Sequence, residues 1–163
     1  MDFLTAMDIS ASGLTADRTR INTIAMNLAN AKTTRTPHGG PYRRRTVVQV
    51  ATDVDDPFSV HMRSALDREL KGVRILGVTQ DKRPLKQVYE PGHPDANAEG
   101  YVSYPDINVV EEMANLMTAQ RNYEANVTTV EAIKGMFNKA LEIGKSYRVF
   151  DGHNDHGSHG SRQ

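Results

Sequence analysis

The sequence predicts an α+β fold, with long N- and C-terminal helices forming a coiled-coil pair and a small antiparallel β domain inserted between them. Three observations carry that prediction. Both ends of the 163-residue chain run for long stretches without proline and repeat apolar residues every seventh place. All 7 prolines fall from Pro37 to Pro105, too dense for a long helix. Between them the apolar residues gather into short β-branched and aromatic runs.

The first element occupies the N-terminal unit, residues 1–36. From residue 2 to about 30 there is one Gly and no Pro, and Met7, Leu14, Ile21 and Leu28 recur at every seventh place, flanked by Leu4, Ala11, Ile24 and Ala25. Asp17 and Arg18 interrupt the flanks, so the stripe is a coiled-coil seam, narrower than the face of a core helix. Asn30 is expected to take a left-handed cap, and Pro37 blocks any continuation.

The middle unit, residues 37–106, is punctuated by Gly39-Gly40-Pro41, Pro57, Gly72, Gly77, Pro84, Pro91-Gly92, Pro94, Gly100 and Pro105. Residues 46–50, 73–76, 87–89 and 101–104 read as three or four strands of one small antiparallel sheet. A long connection, residues 51–71, carries Met62, Leu66 and Leu70 at helical spacing and is read as holding a short helix.

The C-terminal unit, residues 107–147, is a second long helix. Asn108 caps it and Glu111 stands at the capping-box position. Val109, Leu116, Tyr123, Val130 and Phe137 form its heptad, with Met113, Val127 and Leu141 four residues after members of the series. Ala119, Ile133 and Ala140 stand three after, and Met113, Met117 and Met136 read as gap-filling core residues. Glu111, Arg121, Glu124, Glu131 and Lys139 mark the solvated face.

Length then becomes decisive. Forty helical residues make a rod of about 60 Å, wider than the roughly 40 Å of a compact domain of this size. The only partner of comparable length is the N-terminal helix, about 45 Å, so apolar surface is left over. The β domain is expected at the waist of the pair, with the helix seams shared with other subunits. Those seams are Met7, Leu14, Ile21, Ile24 and Leu28 on one helix, and Val109, Met113, Leu116, Tyr123, Val127, Val130, Phe137 and Leu141 on the other. Residues 148–163 form a His/Gly-rich tail expected to be flexible.

Composition narrows the function. Twenty basic side chains balance 20 acidic ones, so no global field steers the chain to nucleic acid. No cysteine occurs, which removes disulfides, thiolate metal sites and thiol nucleophiles. Asp2 and Asp8 stand where a secretory signal needs basic residues, so no cleaved signal is expected. No apolar stretch approaches the roughly 18 residues of a membrane span. No Gly-x-Ser-x-Gly, phosphate-binding Gly loop or His-Glu-x-x-His is present, and neither an enzyme nor a cofactor is expected.

Three stretches invite sharper readings. Tyr42-Arg43-Arg44-Arg45 pairs cations with an aromatic as nucleic-acid sites do, but with zero net charge it reads as a basic strand start facing solvent or a neighbour. Pro91-Gly92-His93-Pro94-Asp95 offers a His and an Asp, yet Pro-Gly is the signature of a type II turn. His153, His156 and His159 are plausible metal ligands, but the glycines among them oppose convergence on one ion, and no metal is expected.

Several of these residues carry a resemblance. Ala11-Ser12-Gly13-Leu14, Asn22, and Ile24-Ala25-Met26 leading into Asn27-Leu28-Ala29-Asn30 resemble the axial proteins of the bacterial flagellum, which usually have Ser where this chain has Met26. Gly40-Pro41-Tyr42-Arg43-Arg44, the run from Val88 to Ala96, and Gly100-Tyr101-Val102 narrow the likeness to the C-type proximal-rod proteins. Asn108-Val109-Val110, Glu112-Met113 and the run from Arg121 to Val127 continue it. The 51–71 connection and the tail beyond Tyr147 are longer than the pattern.

The resemblance implies a structural subunit that stacks helically with copies of itself and other rod proteins, joining a membrane-embedded ring and its adaptor to the distal rod and transmitting torque. It implies passage through the flagellar export apparatus without a cleaved signal and residence in the periplasmic rod. Nucleic acid and small-molecule substrates have no place in it. The alternative is a coiled-coil adaptor that binds another helical protein without polymerising.

Overall fold

The computed structural model describes residues 3–53 and 71–151; the short helix expected within 51–71 and residues 152–163 of the histidine-rich tail fall outside them. Six elements follow in order: α1 (Phe3–Ala29), β1 (Arg45–Asp53), β2 (Lys71–Gln80), β3 (Lys86–Tyr89), β4 (Tyr101–Tyr104) and α2 (Val109–Asp151). This is the expected α+β arrangement of two long helices around a small antiparallel β region. Among the described residues no helix is long and apolar enough to cross a membrane.

The helices run antiparallel. Phe3 stacks on Phe137 with ring centroids 4.5 Å apart, Asn126 Nδ2 donates to Asp17 Oδ2 at 3.0 Å, and Asn27 Nδ2 donates to Glu112 Oε2 at 3.1 Å. With 27 residues against 43, α1 is about 40 Å long and α2 about 65 Å. The register therefore leaves residues 138–151, about 21 Å of α2, beyond the start of α1. The helix also continues to Asp151, past the expected end at 147.

Small residues set the approach of the helices. Ser10, Ala16 and Thr23 of α1 are buried, as are Ala119 and Ile133 of α2. A Cβ on Gly13 would stand 3.0 Å from Asn126 Nδ2. The deepest heptad of α2 is thus Glu112, Ala119, Asn126 and Ile133, three positions along from the series beginning at Val109. Helices meeting on small side chains come close together, and the larger residues flank the contact. Hence Met113, Met117 and Met136, expected to fill core gaps, are exposed instead. Asp17, which interrupts the apolar stripe, is half-buried in the contact and held by Asn126.

The strands form two separate two-stranded sheets, not one. β1 pairs antiparallel with β2 from Arg45↔Gln80 to Asp53↔Lys71, with a bulge that leaves Leu76 without a partner across from Val48 and Gln49. β3 pairs antiparallel with β4 from Lys86↔Tyr104 to Tyr89↔Tyr101. Pro84 in the link between the hairpins has no N–H to carry a ladder across. The first hairpin packs lengthwise along α1: Arg45 N donates to Asn27 Oδ1, and at the far end Val73 N donates to Ser12 Oγ at 3.1 Å. It therefore lies along the helix pair and does not stand out at a waist. From Ser12 to Asn27 the helix advances about 22 Å, which six or seven strand residues match.

Local chemistry ends each element. Asn30 keeps a negative φ, and its side-chain amide caps α1 by donating to Met26 O at 2.9 Å, so the left-handed cap is not used. Asn108 Oδ1 accepts from Val110 N at 3.1 Å and Glu111 N at 3.4 Å, capping α2 as expected. In the β3–β4 loop His93 N donates to Glu90 O across Pro91-Gly92 at 3.0 Å. Gly92 lacks the positive φ of a type II turn; Gly100, at φ 83°, is the left-handed residue of this loop.

Candidate functional site

Where the two helices meet the first hairpin, three sequence-distant segments converge on a buried polar junction. Asn27 and Glu112 are each 1% exposed. Asn27 Nδ2 donates to Arg45 O at 2.9 Å and to Glu112 Oε2 at 3.1 Å. Its Oδ1 accepts from Tyr42 Oη at 3.0 Å and from Arg45 N at 2.9 Å. All four hydrogen-bonding positions of the amide are filled.

Glu112 is a charge in a nearly dry place, which stands only when paired. Arg44 supplies the pair: its Nε donates to Glu112 Oε1 at 2.8 Å and its Nη2 lies 2.6 Å from the same oxygen. Arg44 Nη1 donates to Thr46 Oγ1 at 3.0 Å and lies 3.8 Å from Asp81 Oδ2. Burial pushes the Tyr42 hydroxyl above its ordinary pKa and Glu112 pushes the same way, against the lowering by Arg45. Among the described residues no buried side-chain polar atom lacks a partner.

The junction locks α1, the 31–44 loop, β1 and α2 into one body. Asp81 extends it: hydrogen bonds from Arg83 hold its carboxyl below the usual carboxylate range, and Arg83 Nη1 reaches Asp106 Oδ2 at 3.3 Å, just before α2. The Tyr42-Arg43-Arg44-Arg45 run is therefore not a basic strand start turned outward. Arg44 is spent on Glu112, Arg45 lies over the Tyr42 ring at 5.7 Å, and Arg43 donates to Arg83 O.

His93 and Asp95 are placed by the loop they build. His93 Nδ1 accepts from Asp95 N at 3.1 Å, while the Asp95 carboxylate takes Thr34 Oγ1 at 2.8 Å and Arg35 Nη2 at 2.6 Å. The pair ties the β3–β4 hairpin to the loop after α1.

The seam residues divide in two. Ile24 is buried and Leu14, Ile21, Leu28, Leu116, Val127 and Val130 are half-buried. Met7, Val109, Met113, Tyr123, Phe137 and Leu141 are exposed. Of the run Asn27-Leu28-Ala29-Asn30, Asn27 is buried, Leu28 and Asn30 are half-buried and Ala29 is exposed. On α2, two stretches leave apolar side chains uncovered among the described residues: Val110 (76% exposed), Met113 and Met117 on its first turns, and Met136, Leu141 and Ile143 at its far end.

Tyr42 and Arg44 read in the sequence only as part of a basic strand start, and Glu112 has no expected role there, although each stands in a stretch that carries the resemblance. Glu112, seven residues before Ala119 and on the row that ends in Ile133, was the available signal: an acid on a buried heptad requires a cation from elsewhere.

Comparison with known proteins gives a consistent result. Residues 7–35 match the family described as "Flagella basal body rod protein", and residues 98–143 match "Flagellar basal body rod FlgEFG protein C-terminal". The chain is 41% identical over 150 residues to a Borreliella burgdorferi protein named flagellar basal-body rod protein FlgC, covering 88% of this chain and 98% of that one. A Bacillus subtilis protein of the same name is 42% identical over 147 residues, covering 86% and 97%. One from Escherichia coli O157:H7 is 41% identical over 145 residues, covering 89% and 100%.

Proposed function

The chain belongs to the FlgC family of flagellar basal-body rod proteins and is a structural subunit of that rod, and from this premise we propose that it builds the proximal rod by helical stacking through the uncovered faces of its two helices. One observation carries the reading. An α2 of about 65 Å is covered by α1 only up to Phe137, and apolar side chains line both its outer first turns and its overhang. A contact repeated by rotation and rise without closing makes a filament, and patches at opposite ends of one helix suit such a contact.

In this reading the seam residues split by role. Leu14, Ile21, Ile24, Leu28, Leu116, Val127 and Val130 serve the helix pair, Met7, Val109, Met113, Tyr123 and Leu141 meet neighbours, and Phe137, stacked on Phe3 yet partly exposed, serves both. Residues 1–36 and 107–147 form the stacking unit, and residues 37–106 ride on it. The polar junction gives torque a stiff path from helix pair to hairpin. The rod base engages a membrane-embedded ring and its adaptor, and the chain reaches the periplasm through the flagellar export apparatus without signal cleavage. The chain is a scaffold, not an enzyme.

The test replaces exposed residues. Met117→Asp and Leu141→Asp should leave the isolated chain's melting curve unchanged while removing it from purified basal bodies and abolishing swimming. Motile cells with normal rods carrying both changes would refute the stacking surfaces. Leu116→Asp, at a half-buried position, should instead weaken the isolated chain itself.

A further inference from the structure

Beside the junction, a crevice of about 300 Å³ opens between α1, β1 and α2. Arg20, Thr23, Ile24 and Asn27 line it from one row of α1, Arg44 to Val47 and Gln49 from the β1 side, and Asn115 from α2. It is lined by three arginines and no acid. Arg44 is matched by Glu112 and Asp81. Arg20 and Arg45 are not. Both are half-buried, and apart from the Tyr42 ring against Arg45, neither guanidinium meets an acceptor or carboxylate among the described residues. The nearest candidate along the helix, Asp17, turns its carboxylate to Asn126.

We infer that this crevice receives a carboxylate side chain from an adjoining rod subunit, held by Arg20; the inference rests on the rod reading above. Guanidinium is always charged and matches carboxylate bidentately. Water satisfies Arg20 while the crevice is open. A neighbour that sealed it without bringing an anion would strand the half-buried Arg20 charge, so the covering surface must supply one. Thr46, Gln49 and Asn115 in its lining offer polar contacts to a single acidic side chain and its backbone.

The test uses the full chain in the flagellated cell, with Arg20→Glu, Arg20→Gln and Arg20→Lys replacing the wild type. Chain content of purified basal bodies, measured by mass spectrometry, should fall at least tenfold for Arg20→Glu, fall less for Arg20→Gln, and least for Arg20→Lys, which keeps the charge and loses the bidentate fork. The isolated variants should melt as the wild type does. Selection for swimming in the Arg20→Glu strain should yield an Asp or Glu replaced by Lys or Arg in an adjoining rod protein. Normal incorporation of Arg20→Glu would overturn the proposal, as would equal damage from Arg20→Lys. Saturable binding of inorganic phosphate to the isolated wild type, lost in Arg20→Gln, would reassign the crevice to a free anion. Absence of the wild-type chain from basal bodies would sink the rod reading itself; its presence alongside equal Arg20→Glu would sink only the crevice.

Discussion

Removing the Asn27 amide should cost this chain a large part of its stability, and the structure says how much. Asn27→Ala deletes hydrogen bonds to Tyr42 Oη, Arg45 N, Arg45 O and the Glu112 carboxylate. Three of these involve neutral partners, about 1 kcal/mol each, and the bond to a charged group is about 1.5–3 kcal/mol. The adjoining crevice can admit water to the orphaned groups, so the expected loss lies toward the low side, about 3–5 kcal/mol. Against a total of about 5–15 kcal/mol for a typical domain, that is a sizeable fraction. Asn27→Asp keeps the shape but points a carboxylate oxygen at Glu112 Oε2, where the amide now sits at 3.1 Å. At pH 7 it should be worse than Asn27→Ala despite retaining the acceptor for Tyr42 and Arg45 N. Two carboxylates so close hold a shared proton more tightly than the unfolded chain, whose carboxyl pKa values are about 4. The folded variant therefore binds more protons than the unfolded one, and its stability rises as pH falls from 7 toward 5. Urea unfolding of the full chain followed by circular dichroism, with extrapolation to water, measures each loss. A loss below about 1 kcal/mol for Asn27→Ala, or an Asn27→Asp variant as stable as wild type at pH 7, would refute the junction as the element that fixes the helix pair to the hairpin.

Three further predictions follow from the same geometry. Gly13→Ala presses on the Asn126 side chain at 3.0 Å and should change stability little, because a better helix former offsets the crowding. Gly13→Ala combined with Asn126→Ala should exceed Asn126→Ala alone by about 1 kcal/mol in thermal melts, and an equal gain with Asn126 in place would refute the close approach. Gly100→Ala places a Cβ 2.8 Å from the Tyr89 ring at φ 83° and should cost about 2 kcal/mol or more, read as local loss of hydrogen-exchange protection in β3 and β4. Finally, Tyr42 is raised in the folded chain by burial and Tyr104 by its hydrogen bond to Glu90. A raised folded pKa keeps its stability below the unfolded value, about 10, and loses it as pH climbs through the folded value. Tyr42→Phe should therefore blunt the alkaline unfolding limb without removing it, and an unchanged limb would argue against a buried Tyr42.

The sequence by itself determined which segments became helix and which became strand. Those choices are local: proline spacing confined the long helices to the two ends, Asn108 stopped one end of α2, and β-branched runs marked β1 to β4 within a few residues. It also carried the lineage, through stretches that include Asn27, Tyr42, Arg44 and Glu112. The tertiary structure alone decided what those residues do. An acid at position 112 reads as solvated by its type, and it is buried only because Arg44 and Asn27 arrive from 68 and 85 residues away. The same is true of the buried row on α2. Heptad spacing showed that a row existed, but Gly13, Ala16 and Thr23 on the opposite helix selected the small and polar one, leaving Met113 and Met117 outside. Two hairpins in place of one sheet follow likewise from where each docks. Burial is a property of partners, and partners far apart in sequence are chosen by packing.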